Sequence, residues 1–386
     1  MKGKKLIDNL CIIIFFLLML VPLAYTNFEV DAISEKDNRS LAESPIKASL
    51  TGTRFADAVD AYFSDRIGFR ENFISMNGWI SYSVFNKSPV GKVVIGEDGW
   101  LFYNGEKAGD GTPITQFLGR SNYSAEQLET IANNLINTRE YLKENGVNEF
   151  VLFIAPNKER VYAEYMPALL RNARVSEEDN TVQLVDYLRE NTDIRVVYPY
   201  DALMDYKESN PDEPLYYHLD THWNELGGYI GARELLKELG VKIPEPENES
   251  YNIVYGNSGD LFNMMGVSDW LNMDEISWEM PNWPNESTVV DEGEFIGHWR
   301  YTNTNMDERI LLVERDSFCS AMRNELGSSF NEVDLVHRGS YTQQVLEEDA
   351  PDIFVYQLVE RYDNNLLTPG MGIIPEDILA TKEYNN

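Results

Sequence analysis

From Asn9 to Phe28 the chain carries no charge, and the centre of this run, CIIIFFLLMLVPLAY, is almost wholly apolar. At about 1.5 Å per helical residue such a run just spans a hydrocarbon layer of roughly 30 Å. Lys2, Lys4 and Lys5 precede it, which predicts a start held in the cytoplasm and residues 29–386 outside. A cleaved signal peptide is the competing reading, although no A-x-A-like site follows cleanly. Residues 29–50 are polar, mixed in charge and free of aromatics, the composition of a tether. Between Thr51 and Lys87 apolar residues recur at helical spacing, predicting one or two helices. Val93 to Tyr103 (VVIGEDGWLFY) reads as a hairpin turning at Asp98-Gly99, because glycine permits the positive φ of a tight turn.

An alternating α and β pattern follows. Ser124 and Gln127 form a capping-box pattern that opens a helix to Glu144, stopped by Gly146. Apolar strands are predicted at Phe150–Ala155, Ile194–Tyr198, Ile310–Val313, Val333–Val336 and Ile353–Leu358. Helices are predicted at Thr181–Arg189, Asn224–Leu239 and Ser317–Leu326. Continuous apolar strands alternating with helices predict an α/β fold with a mostly parallel sheet covered on both faces. Residues 245–305 break this pattern: Trp270, Trp278, Trp283 and Trp299 stand in Pro- and Asn-rich sequence, predicting an irregular insertion over one end of the sheet. The implied divisions are 1–28, 29–50, 51–110, 111–365 and a tail over 366–386.

Charge narrows the function. With 64 acidic against 32 basic residues the net charge is −32, a surface that repels nucleic-acid phosphates and disfavours a nucleic-acid partner. It argues, more weakly, against a strongly anionic polymer as substrate. Cys11 lies in the apolar run and Cys319 far into the exported part, so no disulfide framework forms and stability rests on the core.

Two places offer chemistry. In YYHLDTHWNELGG (Tyr216–Gly228), an extended segment before the helix would place Asp220 and His222 on one side. A carboxylate on one ring nitrogen fixes the tautomer and leaves the other nitrogen free to take a proton. The plainer reading has Asp220 or Asn224 capping the helix and His222 in the core. A third reading makes His218, Asp220 and His222 metal ligands, but the remaining histidines, His298 and His337, supply no obvious further cluster. In ILLVERDSFCSAM (Ile310–Met322) a buried strand runs into a sharp turn that sets Ser317 at its carboxyl end beside a helix start. Unpaired amides there can hold an oxyanion, whereas the plain alternative is capping by Asp316 or Ser317. Cys319 points to another helix face and is not the proposed nucleophile. The tryptophans between 270 and 299 either stack on sugar rings or fill the core.

Together YYHLDTHWNELGG, ILLVERDSF, VLFIAPNKERVYAEYMP, VVIGEDGWLFY, DAYFSDRIGFRENF and SGDLFNMMG, over roughly residues 36–362, resemble the alginate O-acetyltransferase and DHHW-type branch of the SGNH hydrolase superfamily. The resemblance implies a flavodoxin-like α/β/α sandwich in which the Asp-His block precedes the serine. It also implies Ser317 as nucleophile, His222 as base and Asp220 as its orienting carboxylate, without a metal or other cofactor. Arg315 stands where many relatives carry glycine; it either tightens the turn or restricts the pocket. No Gly-x-Asn-Asp block is evident to supply oxyanion amides. Candidates instead are the amides of Ser317 and Phe318, with Asn157 or Arg361 as side-chain donors; the plain readings are a loop cap for Asn157 and a salt bridge for Arg361. Trp223 and Arg315 are counted with the substrate-binding candidates. The activity implied is a membrane-anchored extracytoplasmic O-acetyltransferase acting on a surface or exported polysaccharide, which the charge suggests is neutral or weakly charged. Its acetyl donor would be a polytopic membrane acyltransferase. A polysaccharide acetyl esterase with the same residues and a non-catalytic glycan-binding scaffold are the alternatives.

Overall fold

The computed structural model describes residues 2–28, 33–34, 39–241, 250–256, 259–268, 270–279, 286–290, 298–338 and 342–381. Trp283 lies outside the described residues. The chain divides into two compact units, Met1–Pro89 with Met265–Leu271, and Val90–Met264 with Asn272–Asn386.

In the first unit, α1 (Lys2–Ala24) contains an 18-residue apolar stretch, Ile7–Ala24, long and apolar enough to cross a membrane. The helical spacing after Thr51 resolves into two helices, α2 (Phe55–Arg66) and α3 (Arg70–Phe85).

The second unit opens with the hairpin of β1 (Val93–Ile95) and β2 (Leu101–Tyr103); Asp98 and Gly99 both hold positive φ at its turn. Then come α4 (Ala125–Glu144), β3 (Glu149–Ala155), α5 (Asn180–Asn191), β4 (Arg195–Val197) and α6 (Glu225–Glu238). The Ser124–Gln127 capping box forms as expected at the head of α4. A short antiparallel pair, β5 (Ser250–Gly256) with β6 (Met273–Glu279), and the strands β7 (Glu286–Val290) and β8 (His298–Thr302) follow. The unit closes on β9 (Asp307–Arg315), β10 (Phe330–His337) and β11 (Ile353–Val359).

The seven-stranded sheet runs β4-β3-β11-β9-β10-β8-β7. Its first five strands are mutually parallel, and β8 and β7 extend it antiparallel at the β10 edge. The stretch 245–305 is therefore not simply an irregular cover: its described residues include two strands of the main sheet and a separate strand pair.

Side chains alternate across the sheet. Phe150, Leu152 and Ile154 of β3 face a core built with Leu135 and Leu142 of α4 and Leu184 and Leu188 of α5. Val151, Phe153 and Ala155 face the other, built with Leu226, Ile230 and Leu235 of α6. At about 1.5–3 kcal/mol for each fully buried large apolar side chain, these two layers dominate stability. The loop before α6 and the turn after β9 meet at the carboxyl end of β9, where His222 of the first bonds Ser317 of the second. That is where ligands bind in open α/β sheets.

Candidate active site

The loop before α6 is closed on itself. Tyr216 and Trp223 form an antiparallel bridge, and the Asn224 N–H donates to the Leu215 carbonyl at 2.9 Å. Asn224 caps α6, its side chain accepting from the N–H groups of Leu226 and Gly227. The capping role and the acid-base geometry thus fall to different residues. The expected extended segment is instead a turn, in which one Asp220 oxygen accepts both the His222 backbone N–H at 2.9 Å and its Nδ1 at 2.6 Å. A short side chain that bonds backbone two residues on is what brings the pair together. The other Asp220 oxygen accepts the Asp260 N–H at 2.9 Å. On the far side of the ring, Nε2 lies 2.7 Å from Ser317 Oγ. Ser317 is exposed and the His222 side chain keeps 28% of its surface open, so both are reachable from solvent.

Burial alone would make Asp220 harder to ionise, but its hydrogen bond with His222 and the charge of that ring bring its pKa down to about 2. Burial also opposes the imidazolium of His222; the hydrogen bond and charge of Asp220, with Asp260 adding, outweigh it and raise the ring above its ordinary value. Asp260 is itself raised, by burial first and by the charge of Asp220 second.

The serine is set by Asp316. One buried Asp316 oxygen accepts the Phe318 N–H and Gln357 Nε2, both at 2.9 Å, and the other accepts the Val359 N–H at 2.6 Å. These bonds tie the end of β9 to β11 and stand Ser317 out of the turn. The predicted helix Ser317–Leu326 is broken into a 3-10 segment, Ser317–Ala321, and a short α-helix, Arg323–Gly327.

Phe318 N–H is engaged by Asp316 and is not available to an oxyanion. The Ser317 N–H heads the 3-10 segment, where no intrahelical acceptor exists for it. Asn157 is buried in another network, its Nδ2 donating to Gln116 and its N–H to Glu360. Trp223 is buried too; its Nε1 donates to the Phe318 carbonyl at 2.8 Å, so it joins the two loops rather than offering a stacking face. Arg315 does not line the cleft; its guanidinium donates to the Asp316 carbonyl in the turn at 3.3 Å and stacks 3.8 Å from the centre of the Trp299 ring. Arg361 stands 5.4 Å over the Phe318 ring, its Nε lacks an acceptor among the described residues, and its charge is felt at His222. Cys319 is fully buried and its thiol is pushed up to about 12, mainly by burial, which leaves it inert. Trp278 is buried, and Trp299 lies beneath Arg315 and Arg323.

The side chains that hold the histidine loop were not found in the sequence. Lys158, fully buried, donates to the carbonyls of Leu101, His218 and Asp220 at 2.7, 2.9 and 2.9 Å. Glu275 accepts the N–H groups of His218 and Leu219 and pairs with His218 Nδ1 at 2.9 Å. The ligand set His218, Asp220 and His222 is thus split. Asp260, not His218, shares the neighbourhood of Asp220 and His222, with the ligand atoms of these three within 4.8 Å of one another. Asp260 also accepts from Thr221, N–H at 2.8 Å and Oγ1 at 2.6 Å. The available signals were a lysine three residues past the end of a buried strand and the acidic residue of Ser-Gly-Asp-Leu, but neither names its partner. Lys158→Met removes three donors and strands three carbonyls; the expected result is a loss of about 2–4 kcal/mol in urea unfolding, and a change under about 0.5 kcal/mol would contradict this role.

A cleft of about 510 Å³ opens over Ser317 and His222, with Tyr217, Glu225, Arg323 and Asn324 on its walls. An exposed serine on an imidazole that a carboxylate steadies, at the carboxyl ends of a parallel sheet, is the arrangement of serine-dependent acyl-transfer sites. The chain belongs to the family described as SGNH hydrolase-like domain, acetyltransferase AlgX, whose model matches residues 93–287. That match takes in Asp220 and His222 and ends before Ser317. The probable alginate O-acetylase AlgJ of Pseudomonas aeruginosa is 26% identical over 196 residues, covering 51% of this chain and 44% of that protein. Its Pseudomonas putida counterpart is 23% identical over 228 residues, covering 56% and 53%. The chain thus spans about half the length of these curated relatives. The structure of Bacillus cereus PatB1 aligns with a TM-score of 0.50 at 13% identity, over 72% of this chain and 98% of that one, and shares the fold.

Proposed function

We propose that this protein is an O-acetyltransferase that moves an acetyl group through Ser317 onto hydroxyls of a polysaccharide. The observation that carries the reading is His222, bonded through Nδ1 to Asp220 and through Nε2 to an exposed Ser317 hydroxyl. His222 Nε2 takes the Ser317 proton as Oγ attacks the acetyl carbonyl, and the Ser317 N–H, with Arg361 as the side-chain candidate, faces the developing oxyanion. The protonated ring returns its proton to the leaving group. A sugar hydroxyl then enters and gives its proton to the same nitrogen as its oxygen takes the acetyl from Ser317; the ring passes that proton to the departing Ser317 Oγ, restoring the free hydroxyl. Asp220 stays ionised throughout and steadies the imidazolium. The family membership and the named activity of the AlgJ relatives support acetyl transfer to a polysaccharide. The span Ile7–Ala24 supports a membrane anchor, and Lys2, Lys4 and Lys5 ahead of it support a site outside the cytoplasm; in this reading the acetyl donor is a polytopic membrane acyltransferase.

Incubation with an activated acetyl ester and a neutral oligosaccharide is expected to yield acetylated sugar. Acetate without acetylated sugar, across a panel of acceptors, would instead identify an esterase built on the same residues. Acylation also has a predicted pH dependence. The base acts as the neutral ring, and its pKa is raised, so kcat/KM should be low at acid pH, climb through that raised value and level off above it. A profile flat across roughly pH 5 to 9 would argue that His222 is not the base.

A further inference from the structure

The outward face of α3 is apolar where a soluble helix would be polar. Phe73, Met76, Ile80 and Val84, continued by Phe69 at the amino-terminal cap, follow one another at spacings of three and four residues and so form one stripe. Each is between 36% and 61% exposed. The stripe carries no charge and is flanked by the exposed polar residues Asn72, Asn77 and Ser83. The opposite face of α3 is the packed one: Ser75 and Gly78 are buried, Gly78 against the backbone of Met265, and Trp79 lies 6.2 Å from Trp270. One side of the helix is therefore packed within its unit, and the apolar stripe lies on the other.

The start of α3 is fixed to the end of α1. Gly68 N–H donates to the Pro22 carbonyl at 3.0 Å, Asn27 N–H to the Arg66 carbonyl at 2.8 Å, and the Tyr25 and Phe69 rings lie 5.2 Å apart. The approach is so close that a Cβ on Gly68 would sit 2.5 Å from that of Tyr25. Wherever the outer end of α1 leaves the hydrocarbon, the α2–α3 turn is held at the same depth, and the stripe begins there.

We propose that α3 is an interfacial membrane helix, lying in the outer leaflet with Phe69, Phe73, Met76, Ile80 and Val84 at the boundary between headgroups and acyl chains. This rests on the reading of α1 as a membrane anchor. An uncharged apolar stripe with polar flanks, continuous with a spanning helix, fits lipid better than water. At about 1.5 Å per residue the 16 residues of α3 lay roughly 24 Å of helix along the surface, a second attachment that would limit tilting of the anchored chain.

The test uses the full chain with Cys11→Ser, reconstituted in phosphatidylcholine vesicles and carrying one nitroxide at a time through Leu18→Cys, Ile80→Cys or Val84→Cys. Collision with oxygen reports lipid and collision with a water-soluble nickel chelate reports water. The expected result is a lipid signal at Leu18 and a shallower lipid signal at Ile80 and Val84. A lipid signal at Leu18 with nickel-accessible Ile80 and Val84 overturns the proposal and leaves the anchor standing. Labels at Ile80 and Val84 that are immobile and reached by neither agent overturn it in favour of a protein partner. A water-exposed Leu18 overturns the anchor and this proposal with it.

Discussion

Ser317→Ala is expected to lower the rate of acetyl transfer from an activated ester by roughly 10⁴-fold or more, with what remains coming from binding and oxyanion contacts alone. The fold should be untouched. Ser317 is exposed, and its hydroxyl is bonded to His222 rather than to the core, so the change in unfolding free energy should stay within about 0.5 kcal/mol. Initial rates with parallel denaturant melts check both halves. A variant that keeps more than about a tenth of the rate would rule out the serine ester as an obligatory intermediate.

The second large effect belongs to Asp220→Asn. The carboxylate oxygen that accepts from His222 Nδ1 at 2.6 Å also accepts the backbone N–H of the same residue. An asparagine can keep the turn by presenting its carbonyl to the backbone, but it no longer carries the charge that supports the imidazolium. If its amide turns toward the ring, it presents a donor where the ring must donate. The tautomer then favours a proton on Nε2, facing Ser317, and the ring cannot accept. Turnover should fall by about 10⁴-fold, with KM changed far less because Asp220 serves the proton and not the acetyl group. The pKa that governs activity should also move down as the charge of Asp220 is lost, so the remaining activity should survive to lower pH than in the wild type. A rise in KM with unchanged kcat would assign Asp220 to substrate binding instead.

Much of the sheet could be traced in the chain because its interior strands are buried on both faces and read as unbroken apolar runs: FVLFIA of β3 and ILLV of β9 fall where expected. The antiparallel strands β7 and β8 could not. Trp299 and Tyr301 in β8 stand among polar and Asn-rich neighbours, and their pairing with β10 is a contact distant in sequence that local pattern does not encode. The break in the predicted helix after Ser317 has a similar cause, since the bonds from Asp316 to Phe318, Gln357 and Val359 come largely from another strand.

Within the site, Asp220, His222 and Ser317 were legible because nearness in sequence ties the first two and a strand-turn-serine pattern marks the third. Their supports were not. Lys158 acts on carbonyls of residues 101, 218 and 220, and Glu275 reaches back to His218 and Leu219, so each role exists only once distant segments have been brought together. The amide of Phe318 is a local case instead: an unpaired donor at a helix start is an expectation about an isolated helix, and Asp316, two residues earlier and the plain capping alternative in the sequence, fills it.

The most direct measurement is the intact mass of the wild-type chain during turnover of an activated acetyl ester, followed by mapping of the modified peptide. The account predicts one transient acetyl group on the oxygen of residue 317, formed before product and discharged when an acceptor sugar is added. Turnover with that hydroxyl unmodified at every time point, or with the acetyl group on a different side chain, would contradict it.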